Sequence, residues 1–228
     1  MENIRSSIPA SRQILAAVFD LDGVLLNSEW LAFQVWQDWA RLKGGTLSEA
    51  AFPGMIGISA EDTGLYVMEQ SGVRFDLAES TAWTWEQISA RLETETEPLP
   101  GAVDLVRRLA GCGCALAIAS NAYTGYIDSA IAGLKLLEYF PIRVGIDQVK
   151  EGKPAPDVYL YAASRLGVAA GRCLAFEDSR VGVQAAAAAG MRVIAVPGAL
   201  DHKNGFHKAW QVFPSLVEVE KQLHLLLN

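Results

Sequence analysis

The chain has few cysteines, no run long enough to cross a bilayer, and no excess of positive charge. Three cysteines stand among 228 residues, Cys112, Cys114 and Cys173, too few and of the wrong parity for a disulfide framework. A reducing compartment is expected, and with it a cytoplasmic location. No apolar run approaches the roughly 20 residues of a membrane span, so no membrane association is expected. Met1–Gln13 is polar and lacks the apolar stretch and small-residue cleavage site of a secretory leader. Lys and Arg number 19 against 26 Asp and Glu, a net charge of −7. That balance argues against nucleic acid as a partner, because a phosphate backbone selects a basic face. It leaves room for a small phosphorylated metabolite, provided a metal and a lysine supply positive charge locally. Internal repeats and low-complexity linkers are absent. No G-x-G-x-x-G follows the first apolar strand, which removes a dinucleotide-binding fold. Apolar residues make up 51% of the chain, enough for the core of one large domain or two small ones.

Ile14–Phe19 is continuously apolar and stops abruptly at Asp20. A run of that length suits a parallel strand covered on both faces. Ala115–Ala119, Cys173–Phe176 and Arg192–Val196 read the same way, and Pro141–Ile146 more weakly. Helical patterns lie between them, at Ala102–Ala110, Pro156–Leu166 and Val181–Ala189. Strands alternating with helices predict an α/β fold, a doubly wound parallel sheet. One stretch breaks the rhythm. From Glu29 to Glu97 the pattern is amphipathic helix alone, with Trp30, Phe33, Trp36 and Leu42 on one apolar face beside Val35 and Trp39, and with further helix over Thr63–Gln70 and Leu77–Leu92. Five of the six tryptophans fall here, so the insert is expected to carry its own core. Leu25–Glu29 and Glu97–Gly101 are the hinges, which gives two domains, residues 1–25 with 98–228 and residues 26–97.

In open parallel sheets, ligands bind beyond the carboxyl ends of the strands. Three of the strands run there into Asp20-Leu21-Asp22-Gly23, Ser120-Asn121 and Glu177-Asp178-Ser179, and Gly152-Lys153-Pro154 lies in the chain between the last two. Carboxylates crowded at one edge repel unless a cation sits among them, and oxygen-only ligation suits Mg2+. Residues two apart on an extended chain point the same way, so Asp20 and Asp22 can serve one reacting group. One attacks phosphorus and forms an aspartyl-phosphate; the other protonates the leaving oxygen and then activates water. Ser120 and the amides after it can grip phosphoryl oxygens, Lys153 can neutralise nucleophile and phosphate, and Asp178 can hold the metal. Taken singly each fragment is an ordinary loop or helix cap; their order at successive strand ends is what gives them weight.

The segments VFDLDGVLLNSE, IASNA, GKPAPDVY and FEDSRVGVQAAAAAGM, as they stand in this chain, resemble the four motifs of the haloacid dehalogenase superfamily. The branch is that of β-phosphoglucomutase and small sugar-phosphate phosphatases, and the resemblance runs from about Leu15 to Pro197. It implies a Rossmann-like core and makes the helical insert a mobile cap. It implies Asp20 as nucleophile, Asp22 as general acid/base, Ser120 and Asn121 as phosphate-binding residues and Lys153 as the charge-neutralising lysine. It assigns Mg2+ to the Asp20 side chain, the Asp22 carbonyl oxygen and Asp178, with Glu177 as ligand or neighbour.

Departures narrow the chemistry. The presence of Asp22 argues against dehalogenation. Where β-phosphoglucomutase carries a histidine and an arginine in the cap, this sequence has Ala32 and Ala60, and Asn27 replaces the usual aspartate of the DSE segment. The expectation is therefore a Mg2+-dependent phosphatase of a small phosphorylated metabolite. A phosphomutase is the alternative, and a non-catalytic phospho-aspartate signalling domain a more distant one. His202, His207 and His224 follow the last strong strand and read as surface residues, His202 lying in the loop nearest the rim. The sequence sets no oligomeric state, and a monomer satisfies it.

Overall fold

The short apolar runs become the strands of one parallel sheet. The computed structural model describes residues 13–56, 60–198 and 205–227, without the side chains of residues 60 and 61. Its strands are β1 (Ala16–Phe19), β2 (Ala115–Ala119), β3 (Ile142–Val144), β4 (Cys173–Glu177), β5 (Arg192–Ala195) and β6 (Gln211–Val212). They stand in the order β3-β2-β1-β4-β5-β6, every neighbouring pair parallel. The two strands bearing the acidic motifs, β1 and β4, are thus adjacent, in a register that sets Phe19 beside Phe176.

Both faces of the sheet are buried, as its unbroken apolar runs require. On one face Ala16, Val18, Ala117, Ala119 and Ala175 share a core with Val158, Tyr159 and Ala162 of α6 (Asp157–Leu166) and with Val183, Ala185 and Ala186 of α7 (Arg180–Ala188). Alanines on both sides let these helices lie close to the strands. On the other face Phe19 stacks on Phe176 at 4.5 Å between centroids and meets Phe140 edge-on at 5.7 Å. The helices α4 (Ala102–Gly111), α5 (Thr124–Gly133) and α8 (Leu216–Leu226) complete the unit. Among the described residues, no helix is long and apolar enough to cross a membrane.

The chain separates into two compact units, one running up to Leu26 and again from Pro98, the other Asn27–Glu97. The second unit is helical: α1 (Ser28–Leu42), a 3-10 segment (Glu49–Met55), α2 (Ala60–Ser71) and α3 (Leu77–Glu95). Its core holds Phe33, Trp36, Trp39, Ala40, Leu47, Ala51 and Val67, with Phe75 and Trp83 packed against it. Asn27 caps α1, its side chain accepting from the Trp30 N–H at 3.3 Å, a task asparagine and aspartate perform about equally. Leu42 lies on the same side of α1 as the buried Leu31 and Val35, but it is the last residue of the helix and is 64% exposed.

Candidate active site

The loop after β1 is shaped by a tight turn. Leu25 N–H donates to the Leu21 carbonyl at 2.8 Å and Gly23 N–H to the Leu26 carbonyl at 2.9 Å. Gly23 sits at φ +76°, and a Cβ there would stand 1.9 Å from Asp178 Oδ2. The position therefore needs glycine twice over, for its backbone and for the carboxylate pressed against it. The turn brings Asp20 and Asp22 from β1 to the same edge as Asp178 from β4.

Asp20 is buried, and its Oδ1 accepts from Lys153 Nζ at 2.6 Å. The same ammonium donates to Glu177 Oε1, also at 2.6 Å. Lys153 is positioned through its main chain. Its N–H donates to Asn121 Oδ1 at 2.8 Å, and its carbonyl accepts from Asn121 Nδ2 at 3.3 Å. The Asn121 amide thus joins the β2 loop to the lysine loop. Ser120 is buried beside it, and its Oγ accepts from the Ala122 N–H at 3.1 Å, which leaves the hydroxyl hydrogen to donate elsewhere.

Glu177 extends β4 one residue beyond the apolar run and is fully buried. A buried carboxylate is tolerated only when its lone pairs are met, and here they are. Oε1 accepts from Lys153 and from the Tyr159 hydroxyl at 2.6 Å; Oε2 accepts from Ser179 Oγ at 3.0 Å and Ser179 N at 3.3 Å. Ser179 Oγ also accepts from Gly182 N at 3.1 Å and so caps α7. A Cβ on Gly182 would fall within 2.0 Å of the Glu177 carboxyl, so helix and carboxylate approach only because that residue has no side chain.

One ammonium does not balance this set. Burial, opposed by Lys153 and reinforced by Glu177, pushes the Asp20 carboxyl up to about 7. Burial, with Asp20 and Glu177 adding repulsion, raises Asp178 to about 8. Burial alone would lower Lys153, but the two carboxylates hold it above its ordinary range. Asp20, Glu177 and Asp178 can each present a carboxylate oxygen, all within 4.8 Å of one another. An all-oxygen donor set with surplus negative charge fits a hard divalent cation of the Mg2+ kind.

Asp20, Lys153, Glu177 and Asp178 are therefore brought together, and Ser120 and Asn121 stand at the end of the neighbouring β2. Asp22, half-buried, accepts at Oδ1 from the hydroxyl of Tyr126 at 3.0 Å. The sequence reading assigned nothing to Tyr126, Tyr159 or Ser179. Tyr159 had a signal, since a tyrosine on the inner face of a helix brings a hydroxyl that must find a partner. His207 is exposed; His202 lies outside the described residues.

Comparison with known proteins gives four findings beyond this geometry. The sequence model described as haloacid dehalogenase-like hydrolase matches residues 17–196. Hexitol phosphatase A of Escherichia coli (strain K12) is 35% identical over 214 residues, spanning 92% of this chain and 90% of that protein. A protein of Thermotoga maritima provisionally described as a β-phosphoglucomutase superposes with a TM-score of 0.82 at 26% identity, covering 94% of this chain and 100% of that one. A haloacid dehalogenase family hydrolase of Deinococcus radiodurans R1, solved with phosphate and sodium bound, superposes with a TM-score of 0.76 at 28% identity, covering 95% and 99%.

Proposed function

The chain belongs to the haloacid dehalogenase-like hydrolases, and from that premise we propose that it hydrolyses the phosphate monoester of a small sugar or sugar alcohol through an aspartyl-phosphate on Asp20. The observation that carries this reading is the strand-end carboxylate of Asp20, buried and ion-paired to Lys153 at 2.6 Å, with a second carboxylate two residues on. Asp20 is the nucleophile. Asp22 gives a proton to the leaving oxygen, then takes one from the water that releases phosphate. Lys153 offsets charge on nucleophile and phosphoryl group, and Ser120 and Asn121 with the amides of their loop receive phosphoryl oxygens. Asp20, Asp178 and the Asp22 carbonyl would hold a Mg2+ ion, which supplies charge neutralisation for the phosphate when bound. Glu177, its oxygens already met by four donors, serves chiefly to fix Lys153. The relatives' substrates, hexitol phosphate among them, support the sugar-phosphate class. The three unpaired thiols support a cytoplasmic location.

Hydrolysis is proposed over intramolecular transfer. A mutase must bind both phosphates of a bisphosphate in turn, and the second needs a cation, because an unpaired phosphate dianion away from water is costly. Ala32 and Ala60 stand where β-phosphoglucomutase places histidine and arginine. With β-glucose 1-phosphate and a bisphosphate activator supplied, phosphate release should outpace glucose 6-phosphate formation in parallel assays. Glucose 6-phosphate as the main product would overturn the choice.

The cation has an activity-free test. Asp20 and Asp178 have folded-state pKa values near 7 and 8 against 3.8 for the unfolded chain. The folded state thus binds more protons between about pH 4 and 8, and stability must fall as pH rises through that window. In chelator, the melting temperature should drop by roughly 10–20 °C from pH 5.5 to 8.5, and millimolar Mg2+ should reverse most of the drop. A flat or rising curve in chelator would contradict the assignment.

A further inference from the structure

We infer that Tyr159 is a positioning residue for phosphoryl transfer, holding the Lys153 ammonium where it serves Asp20 and the phosphoryl group together. The inference rests on the proposed phosphatase reading and adds a residue to it. Tyr159 is the third residue of α6 and is fully buried. It meets the lysine in two ways. Its hydroxyl donates at 2.6 Å to Glu177 Oε1, the oxygen that also accepts from Lys153 Nζ at 2.6 Å. Its ring faces the same ammonium, with Nζ 5.0 Å from the centroid, inside the roughly 6 Å range of cation–π attraction.

The two partners differ in freedom. A lysine carries its charge on a flexible four-carbon stem, so its contacts decide where the ammonium stands. A tyrosine has only two side-chain torsions to fix, and Tyr159 belongs to the same core as Val18, Ala175 and Ala162. Its backbone is held as well. The N–H groups of Tyr159 and Leu160 both donate to the Pro156 carbonyl, at 3.1 and 2.9 Å. The tyrosine is therefore the fixed member of the pair, and the ammonium takes its place from it.

The use of that arrangement follows from the reaction. Lys153 Nζ gives one hydrogen to Asp20 Oδ1 and one to Glu177 Oε1, both at 2.6 Å, and an ammonium has a third for a phosphoryl oxygen. Once Asp20 has bonded to phosphorus its carboxylate charge is neutralised, and its hold on the ammonium weakens. Glu177 and Tyr159 make and break no bonds, and hold the ammonium through both steps. The hydroxyl also limits how strongly Glu177 draws the lysine. Without it, Lys153 is the one remaining donor to Oε1 among the described residues. The ammonium then turns toward Glu177 and delivers less of its charge to Asp20 and the phosphoryl oxygens.

A double-variant cycle separates positioning from architecture. Tyr159→Phe keeps the ring and removes the hydroxyl. Alone, it should lower kcat/KM for a hexitol phosphate about tenfold, the scale of one hydrogen bond to a charged group. Combined with Lys153→Met, it should cost less than about twofold more, because the group it places is gone. A tyrosine that only supports the fold lowers activity by the same factor in both backgrounds; equal factors, or no loss in either, would overturn the role. Nitrogen-15 labelling of the lysines gives a readout independent of turnover. The Lys153 side chain is 4% exposed, so its ammonium signal should exchange slowly with water and stand apart from those of surface lysines. In Tyr159→Phe that signal should move and exchange faster, whereas partial unfolding lowers its intensity without moving it. An unmoved signal would overturn the role even where Lys153→Met retains too little activity for the cycle. A wild-type enzyme that releases phosphate from no sugar or sugar-alcohol phosphate would instead overturn the phosphatase reading beneath it, and the ammonium signal would still test the contact.

Discussion

Replacing Asp20 by asparagine should abolish turnover while leaving the protein folded. The amide matches the carboxylate in size and can still accept from Lys153 at the position of Oδ1, now 2.6 Å from the ammonium. It is not a nucleophile toward phosphorus and is a poor ligand for a hard cation. Loss of the attacking group removes the covalent route altogether, and a fall of about 10⁴-fold or more in kcat is expected. Stability should move the other way or stay level, because the variant loses a buried carboxylate from a set in which burial first, and mutual repulsion second, push Asp20 and Asp178 up to about 7 and 8. Phosphate-release kinetics beside a urea titration read both effects on one preparation. Residual turnover within tenfold of wild type would remove Asp20 from the chemistry.

Replacing Lys153 by methionine should damage activity and stability together. The ammonium is 4% exposed and pairs at 2.6 Å with Asp20 and with Glu177, which has no exposure at all. Methionine nearly preserves the volume and removes the only ammonium bonded to either carboxylate among the described residues. Breaking a buried pair from one side costs about 3–5 kcal/mol, since the remaining charge is left uncompensated. Loss of a fixed charge at a transferring phosphoryl group should lower kcat by about 10²–10³-fold. Adding Glu177→Gln to the methionine variant separates the two effects. The double variant should regain part of the lost stability, because the stranded carboxylate has gone, and none of the activity. Equal recovery of both would mean that Lys153 acts only as scaffold.

The framework of this site was legible because parallel strands buried on both faces are written as unbroken apolar runs that stop where the sheet edge meets solvent. Asp20, Ser120 and Glu177-Asp178 each stand at such a stop, so the sequence order already groups them. The length of β4 was misjudged by one residue, since Glu177 pairs within the strand opposite Ala195. No residue pattern announces a buried carboxylate inside a strand, because two of the groups that permit it, Lys153 and Tyr159, lie 24 and 18 residues away, and only Ser179 is local. Tyr126 was invisible for the same reason: its partner is 104 residues away and its helix carries no polar motif. β6 spans two residues, too few for any periodicity. In the insert, the cluster of tryptophans did announce a core, whereas the face assigned to Leu42 failed because the apolar pattern of α1 runs past the residues that are buried.

The most direct test of phosphoryl transfer through Asp20 is the stereochemical course at phosphorus, measured with a substrate whose phosphate is chiral by oxygen isotopes. Two in-line displacements, first by Asp20 and then by water, each invert the centre, so the released phosphate should show net retention. The outcome does not depend on whether the intermediate accumulates. Net inversion would mean that water attacks the substrate in a single step, and would contradict the assignment of Asp20 as nucleophile.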